Sequence, residues 1–127
     1  MIVLDASVII AIADGADPHH AAALALIGAH ANERLLVHRL TMAESLVRAA
    51  AAGQSRLTAQ RFAAAGVELR DELDDPLELA ELRSRTGIRM PDCCVLDTAM
   101  RARATLATFD ERLAVAARAQ GVAVVGG

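Results

Sequence analysis

Four acidic residues stand where one local pattern gives way to another: Asp5, Glu44, Asp92 and Asp110. Asp5 ends the apolar run Met1-Ile2-Val3-Leu4. Glu44 lies just beyond Leu35-Leu36-Val37-His38, Asp92 opens a periodic helical stretch, and Asp110 follows Ala104-Thr105-Leu106-Ala107-Thr108-Phe109. If these runs are parallel strands, their carboxyl ends share one edge of a sheet, the edge at which open α/β sheets bind ligands. Carboxylates crowded there repel one another unless something cationic holds them. A hard divalent cation with oxygen ligands is the simplest candidate.

Each acid also has a purely structural explanation. Asp at a helix start caps backbone N–H groups and complements the helix dipole, which accounts for Asp5, Asp92 and Asp110. Glu44 completes a capping box with Thr41 and stands four residues before Arg48, as an ion-pairing partner would. Position favours chemistry for two of them. Asp92 precedes the stripe Val95, Leu96, Ala99 and Met100, so it projects from the core face of its helix. Asp5 is followed by Val8-Ile9-Ile10, and no Arg lies within five residues of it. A buried carboxylate needs a partner charge or several hydrogen bonds, and a metal would answer that need. Asp97 lies about 140° round the helix from Asp92 at ~3.6 residues per turn. Its spacing to Arg101 predicts a surface salt bridge, with a supporting catalytic role as the alternative. Asp14, Asp17, Asp71, Asp74 and Asp75 read as turn or cap residues.

The elements that must position these acids alternate between short apolar runs and longer helical patterns, the mark of a parallel α/β sheet. Strands are expected at Ile2–Leu4, Leu35–His38, Val67–Leu69, Thr105–Ala107 and Val122–Val125. The first helix is expected over Ser7–Ala13. Asp17-Pro18 reads as N-cap and first residue of the second, which ends near Ala29. Thr41 is expected to cap a third helix that runs to Gly53, and Ser55 to begin a fourth that stops at Gly66. Asp75-Pro76-Leu77-Glu78 opens a fifth, ending at Gly87. Pro91-Asp92 starts a sixth, to about Arg103, and Asp110 caps the last.

Composition narrows the chemistry. At 127 residues, with 54% hydrophobic and 23% charged residues, the chain is expected to be one globular domain over 1–127. It has no run of about 20 apolar residues and no basic, apolar leader, so no membrane association is expected and the cytoplasm is the expected compartment. Cys93 and Cys94 are adjacent, which is neither a disulfide framework nor a CxxC motif. His19, His20, His30 and His38 lack zinc-type spacing and read as surface or junction residues. The formal charge of −3 leaves no overall basic footprint. All 13 basic residues are Arg; without Lys there is no phosphate-loop lysine, Schiff base or lysine base. Aromatics are 2%, with no Trp or Tyr, which argues against base stacking as a recognition mode.

With these residues in view, Ile2-Val3-Leu4-Asp5-Ala6-Ser7-Val8 resembles the opening of PIN-domain nucleases. Glu44 within Ala43-Glu44-Ser45-Leu46 resembles that family's second acid. Pro91-Asp92 with Ala99 resembles the third, and Thr108-Phe109-Asp110 the closing Thr-x-Asp. Order and spacing over nearly the whole chain are similar to the VapC type, the toxin of a bacterial toxin–antitoxin pair. The resemblance implies a three-layer α/β/α fold with helices on both faces of a parallel sheet of four to five strands, in the order 3-2-1-4-5. It implies a magnesium-dependent endoribonuclease (manganese being a possible substitute), a homodimer and a small antitoxin partner. Asp5 and Asp92 would be the main metal ligands. Asp110 and Glu44 would complete the site, directly or through water, and Ser7 and Thr108 would supply supporting hydrogen bonds. Asp97 departs from the pattern as an extra acid. Arg39, Arg83, Arg85, Arg89, Arg101 and Arg103 are candidates for holding an RNA backbone, or equally solvated surface charges. Two alternatives stand beside the ribonuclease: a PIN-fold interaction module with little catalysis, and a small metal-dependent phosphatase.

Overall fold

The computed structural model describes residues 1–126. Five short parallel strands form one sheet in the order β3-β2-β1-β4-β5, as expected. They are β1 (Ile2–Leu4), β2 (Leu35–Val37), β3 (Val67–Leu69), β4 (Thr105–Ala107) and β5 (Val124–Val125). Among the described residues, eight helices fill the connections: α1 (Ala6–Ala13), α2 (His20–Ala29), α3 (Arg39–Ser45), α4 (Val47–Ala51), α5 (Ser55–Ala64), α6 (Pro76–Thr86), α7 (Met90–Ala102) and α8 (Glu111–Ala119). Among the described residues, no helix is long and apolar enough to cross a membrane.

Side chains alternate faces along a strand, and helices cover both sides of the sheet, so the central strand β1 is buried at every position. Ile2 and Leu4 join Leu35, Val37 and Ala107 against α1, α2, α3 and α5. Val3 and Leu106 point the other way, into α6, α7 and α8. The result is a three-layer α/β/α sandwich. From β3 the chain crosses by α6 and α7 to β4, which pairs with β1 through Ile2 with Thr105, Val3 with Leu106 and Leu4 with Ala107. The direction of strand addition reverses there, so the crevice at the carboxyl ends of β1 and β4 is the topological switch point.

Several boundaries differ from the sequence reading. Helix α2 starts at His20 with His19 as its N-cap residue; Asp17 instead accepts a hydrogen bond from the His19 backbone N–H, 2.8 Å. The third expected helix is two, broken at Leu46, and its N-cap is His38 rather than Thr41. Imidazole Nδ1 accepts the Leu40 N–H at 3.0 Å, so a buried ring does the work expected of a hydroxyl. Thr41 lies within the helix, and its buried hydroxyl has no partner. Strand β5 is shorter than expected, because Val122 packs into the core under α8 and bonds Ala117 instead of β4.

The end of β5 is held tightly to the site. Gly126 has φ +88°, and a Cβ there would sit 2.9 Å from the Thr108 carbonyl oxygen and 3.2 Å from the Phe109 ring. Gly126→Ala should therefore cost about 1–3 kcal/mol, the scale of a non-Gly residue in left-handed backbone. An unchanged urea midpoint would show that β5 does not dock against Thr108.

Candidate active site

Asp5 leaves β1 at the N-cap position of α1, yet its side chain makes no cap bond. Two hydroxyls hold it instead. Ser7 Oγ donates to Asp5 Oδ2 at 2.9 Å and Thr108 Oγ1 donates to the same oxygen at 2.8 Å. The hydroxyl oxygens in turn accept backbone N–H groups: Phe109 N–H to Ser7 Oγ at 3.0 Å, and Asp110 N–H to Thr108 Oγ1 at 3.0 Å. Asp5 is 5% exposed. Its Oδ1 takes no hydrogen bond from the described residues and is not sealed from solvent. One oxygen is thus fixed and the other is open, the arrangement of a preset ligand.

Asp92 occupies the first turn of α7, with its side chain 16% exposed. Burial pushes its carboxyl above the ordinary range. The charges of Asp5, Asp110 and Glu44 push the same way, against the exposed Arg89, whose Nε lies 3.7 Å away. The four acids named from sequence therefore converge electrostatically on one place. They come from the end of β1, from α3, from the start of α7 and from the β4–α8 junction. Asp110 does cap α8, but with one oxygen: Oδ1 accepts from Arg112 and Leu113 N–H groups at 2.9 and 3.3 Å. Glu44 loses both of its structural explanations. The capping box is absent, and Arg48 pairs with Asp14 at 3.2 Å rather than with Glu44. Glu44 is exposed and makes no hydrogen bond or ion pair with the described residues.

Asp97 corrects the sequence reading. Its pairing with Arg101 forms, Nε to Oδ2 at 3.2 Å, but the residue is buried and not on the surface. The cause is Arg70, at the carboxyl end of β3 and only 5% exposed. Its NH1 reaches Asp74 at 3.1 Å, Thr98 Oγ1 at 3.1 Å and Asp97 at 3.5 Å. Arg101 adds Glu72 at 3.3 Å. The acidic turn, read as turn and cap residues, thus brings Glu72 and Asp74 against two guanidiniums. Arg70 was missed by sequence reasoning; an Arg directly after a strand and before Asp71-Glu72-Leu73-Asp74-Asp75 was the available signal.

His38 joins this network, its Nε2 bonding Asp74 at 2.9 Å. With Cys94 these residues form, among the described ones, a group whose possible ligand atoms lie within 4.8 Å of one another. It does not suit a metal. Nδ1 accepts the Leu40 N–H, so Nε2 carries the proton; Arg70 already neutralises Asp74; and burial pushes the Cys94 thiol up to about 11. His38 and Asp74 instead form a hydrogen-bonded joint between the end of β2 and the acidic turn, which Arg70 extends to Thr98 of α7. Of the arginines proposed for RNA, Arg101 is consumed by this network. Arg103 lies about 16 Å along α7 from Asp92 at ~1.5 Å per residue. Arg89 stands beside the acids.

A sequence profile of the PIN domain matches residues 2–119. The chain belongs to the PIN-domain family. Members of the family are generally nucleases. Among solved structures, FitAB bound to a DNA fragment is similar at a TM-score of 0.74 and 22% identity, covering 98% of this chain and 94% of that one. FitAcB from Neisseria gonorrhoeae gives 0.70 and 23%, covering 98% and 96%. A toxin–antitoxin complex from Klebsiella pneumoniae gives 0.66 and 21%, covering 87% of each chain. At these identities the likeness is one of fold. No functionally curated protein matches the sequence.

The two acidic groups of this PIN domain predict opposite responses. Asp97→Ala removes a partner of buried Arg70 and should cost about 3 kcal/mol, as breaking a buried pair does, whereas Asp71→Ala should change little. Equal denaturation midpoints for both variants would contradict the burial described. Asp92 behaves in the opposite sense. Because its folded value is raised, the acid form's stabilisation is complete below the ordinary carboxylate range and is lost as pH rises through the folded value. Asp92→Asn should therefore raise the Tm at pH 7 in EDTA, and the gain should shrink as pH falls towards 4. A lower Tm at pH 7 would refute the like-charge crowding.

Proposed function

We propose that this PIN-domain protein is a magnesium-dependent endoribonuclease and the toxin of a toxin–antitoxin pair. The observation that carries the reading is the acid cluster: two hydroxyls hold one oxygen of Asp5 and leave the other without a hydrogen bond from the described residues, and the charges of Asp5, Asp110 and Glu44 all act on Asp92, whose one cationic neighbour among the described residues is the exposed Arg89. The donor set is all oxygen, which suits magnesium or manganese better than zinc.

Asp5 and Asp92 would hold the ion, with Asp110 closing the set through the oxygen its helix does not use. When bound, the ion stabilises negative charge on the phosphoryl group and lowers the pKa of a coordinated water. Glu44, exposed and without a hydrogen bond or ion pair among the described residues, would orient an attacking water and accept its proton. Arg89 would take a backbone phosphate; its guanidinium lies 3.7 Å from Asp92 and its side chain is mostly exposed, which supports that role. Ser7 and Thr108 keep the Asp5 carboxylate in one orientation, so less reorganisation is needed when the cation arrives. Support for a toxin comes from the shared fold of the Klebsiella pneumoniae toxin–antitoxin complex. The same reading includes a small antitoxin, a homodimer and a cytoplasmic site of action. Light scattering at micromolar concentration would return a monomer if the dimer is wrong.

Purified protein should cleave single-stranded RNA in magnesium and stop in EDTA. Asp5→Asn, which keeps an acceptor for both hydroxyls, and Asp92→Asn should each lower cleavage by about a hundredfold or more, the scale of a lost ligand or acid–base group. Asp92→Asn would thus be more stable than the parent yet inactive. Undiminished cleavage by Asp5→Asn would sink the assignment, and turnover of phosphomonoesters without RNA cleavage would replace it with a phosphatase.

A further inference from the structure

The chain has two Phe and no Trp or Tyr. Phe62 is buried in the core. Phe109 is not: it lies at the end of β4, between Thr108 and Asp110, and the ring of His19 stacks on it with centroids 4.6 Å apart and planes 9° from parallel. Composition argued against an aromatic platform, yet tertiary structure builds one at the rim of the acidic site.

The pair is held from both sides. The Phe109 backbone N–H donates to Ser7 Oγ, the same hydroxyl that donates to Asp5. Its ring packs with Leu26 and the Gly126 backbone at the end of β5. His19 is fixed by its backbone N–H to Asp17 Oδ1 at 2.8 Å, and its Nδ1 lies 3.7 Å from the same oxygen. One face of the imidazole is covered by Phe109. The side chain is still 56% exposed, so the opposite face is open to solvent. A flat, anchored ring with one free face suits the π-face of a base, and unpaired bases of RNA are commonly received on Phe, Tyr, Trp or His.

We propose that His19, backed by Phe109, is a stacking platform for an unpaired base of the RNA strand, next to the phosphodiester held at Asp5 and Asp92. The proposal rests on the ribonuclease reading for its substrate. Ser7 gives it a direct link to the chemistry, since one hydroxyl orients both the Asp5 carboxylate and the backbone that carries the platform. His19 is a positioning residue: it places the strand and takes no part in proton transfer. Stacking tolerates any base, so the platform sets where a flexible single strand lies rather than which sequence is cut.

Because the chain lacks Trp, His19→Trp introduces a single fluorophore at the platform. The probe is an unstructured RNA decamer, with calcium in place of magnesium to hold the strand while slowing turnover, and an abasic decamer of equal length as control. The base-bearing strand should quench the emission and the abasic strand should leave it unchanged. No quenching, or equal quenching by both, would overturn the platform. In magnesium, His19→Ala should raise the KM for the decamer about fivefold or more, the lower end of a lost base stack, with kcat within about twofold, and His19→Phe should restore it. A KM unchanged in His19→Ala would also overturn it. If the parent protein cleaves no RNA, the ribonuclease reading fails, and the quenching experiment still decides whether the platform binds a base.

Discussion

The parallel pairing of β1 with β4 is the interaction on which the site depends. Three residue pairs set its register. Through them Thr108 comes within 2.8 Å of Asp5 although 103 positions separate the two in sequence. The hydroxyl fixes the carboxylate, and the Asp110 N–H fixes the hydroxyl, so strand end, acid and helix start form one chain of hydrogen bonds. A shift of one residue would turn Leu106 and Ala107 to the wrong faces of a sheet buried on both sides. Core packing and site geometry are therefore enforced by the same constraint.

Around that edge the protein handles negative charge in two ways. Glu72, Asp74 and Asp97 are paired by Arg70 and Arg101, two guanidiniums that tie the acidic turn to α7. Asp5, Asp92, Asp110 and Glu44 have no such internal cation; Arg89 touches only Asp92 and from an exposed position. The first group is a stabilising device, because Arg70 and Asp97, its two buried members, are paired with each other and with Asp74 and Arg101. In the second, burial first and the neighbouring acids next hold the Asp92 carboxyl above its ordinary value. One set of carboxylates thus shares two guanidiniums, whereas the adjacent set has only the exposed Arg89 beside one of its members.

Much of the architecture was legible in the sequence because its signals are local. Alternating apolar runs, Pro76 after Asp75, Gly87 at a helix end and Pro91 at a helix start each act over a few residues, and the elements fall where those signals put them. The boundaries that moved were decided elsewhere. Thr41 was a plausible cap, but His38 reached the helix start first because β2 ends one residue earlier than its apolar pattern suggests. Asp97 had the spacing of a surface ion pair, and Arg101 does bind it. Only the placement of Arg70 at the end of β3 draws it into the interior.

The sequence by itself determined the alternation of strands and helices, the acids at the strand ends and the absence of lysine that leaves arginine as the only internal counter-charge. These follow from residue type and short-range spacing. Tertiary structure alone decided which acids share a field, which are paired with arginine, and that the partly buried Phe109, next to Asp110, is stacked by His19. Charge pairing and ring stacking depend on distances between residues far apart in the chain. Those distances exist only once the strands have paired in register.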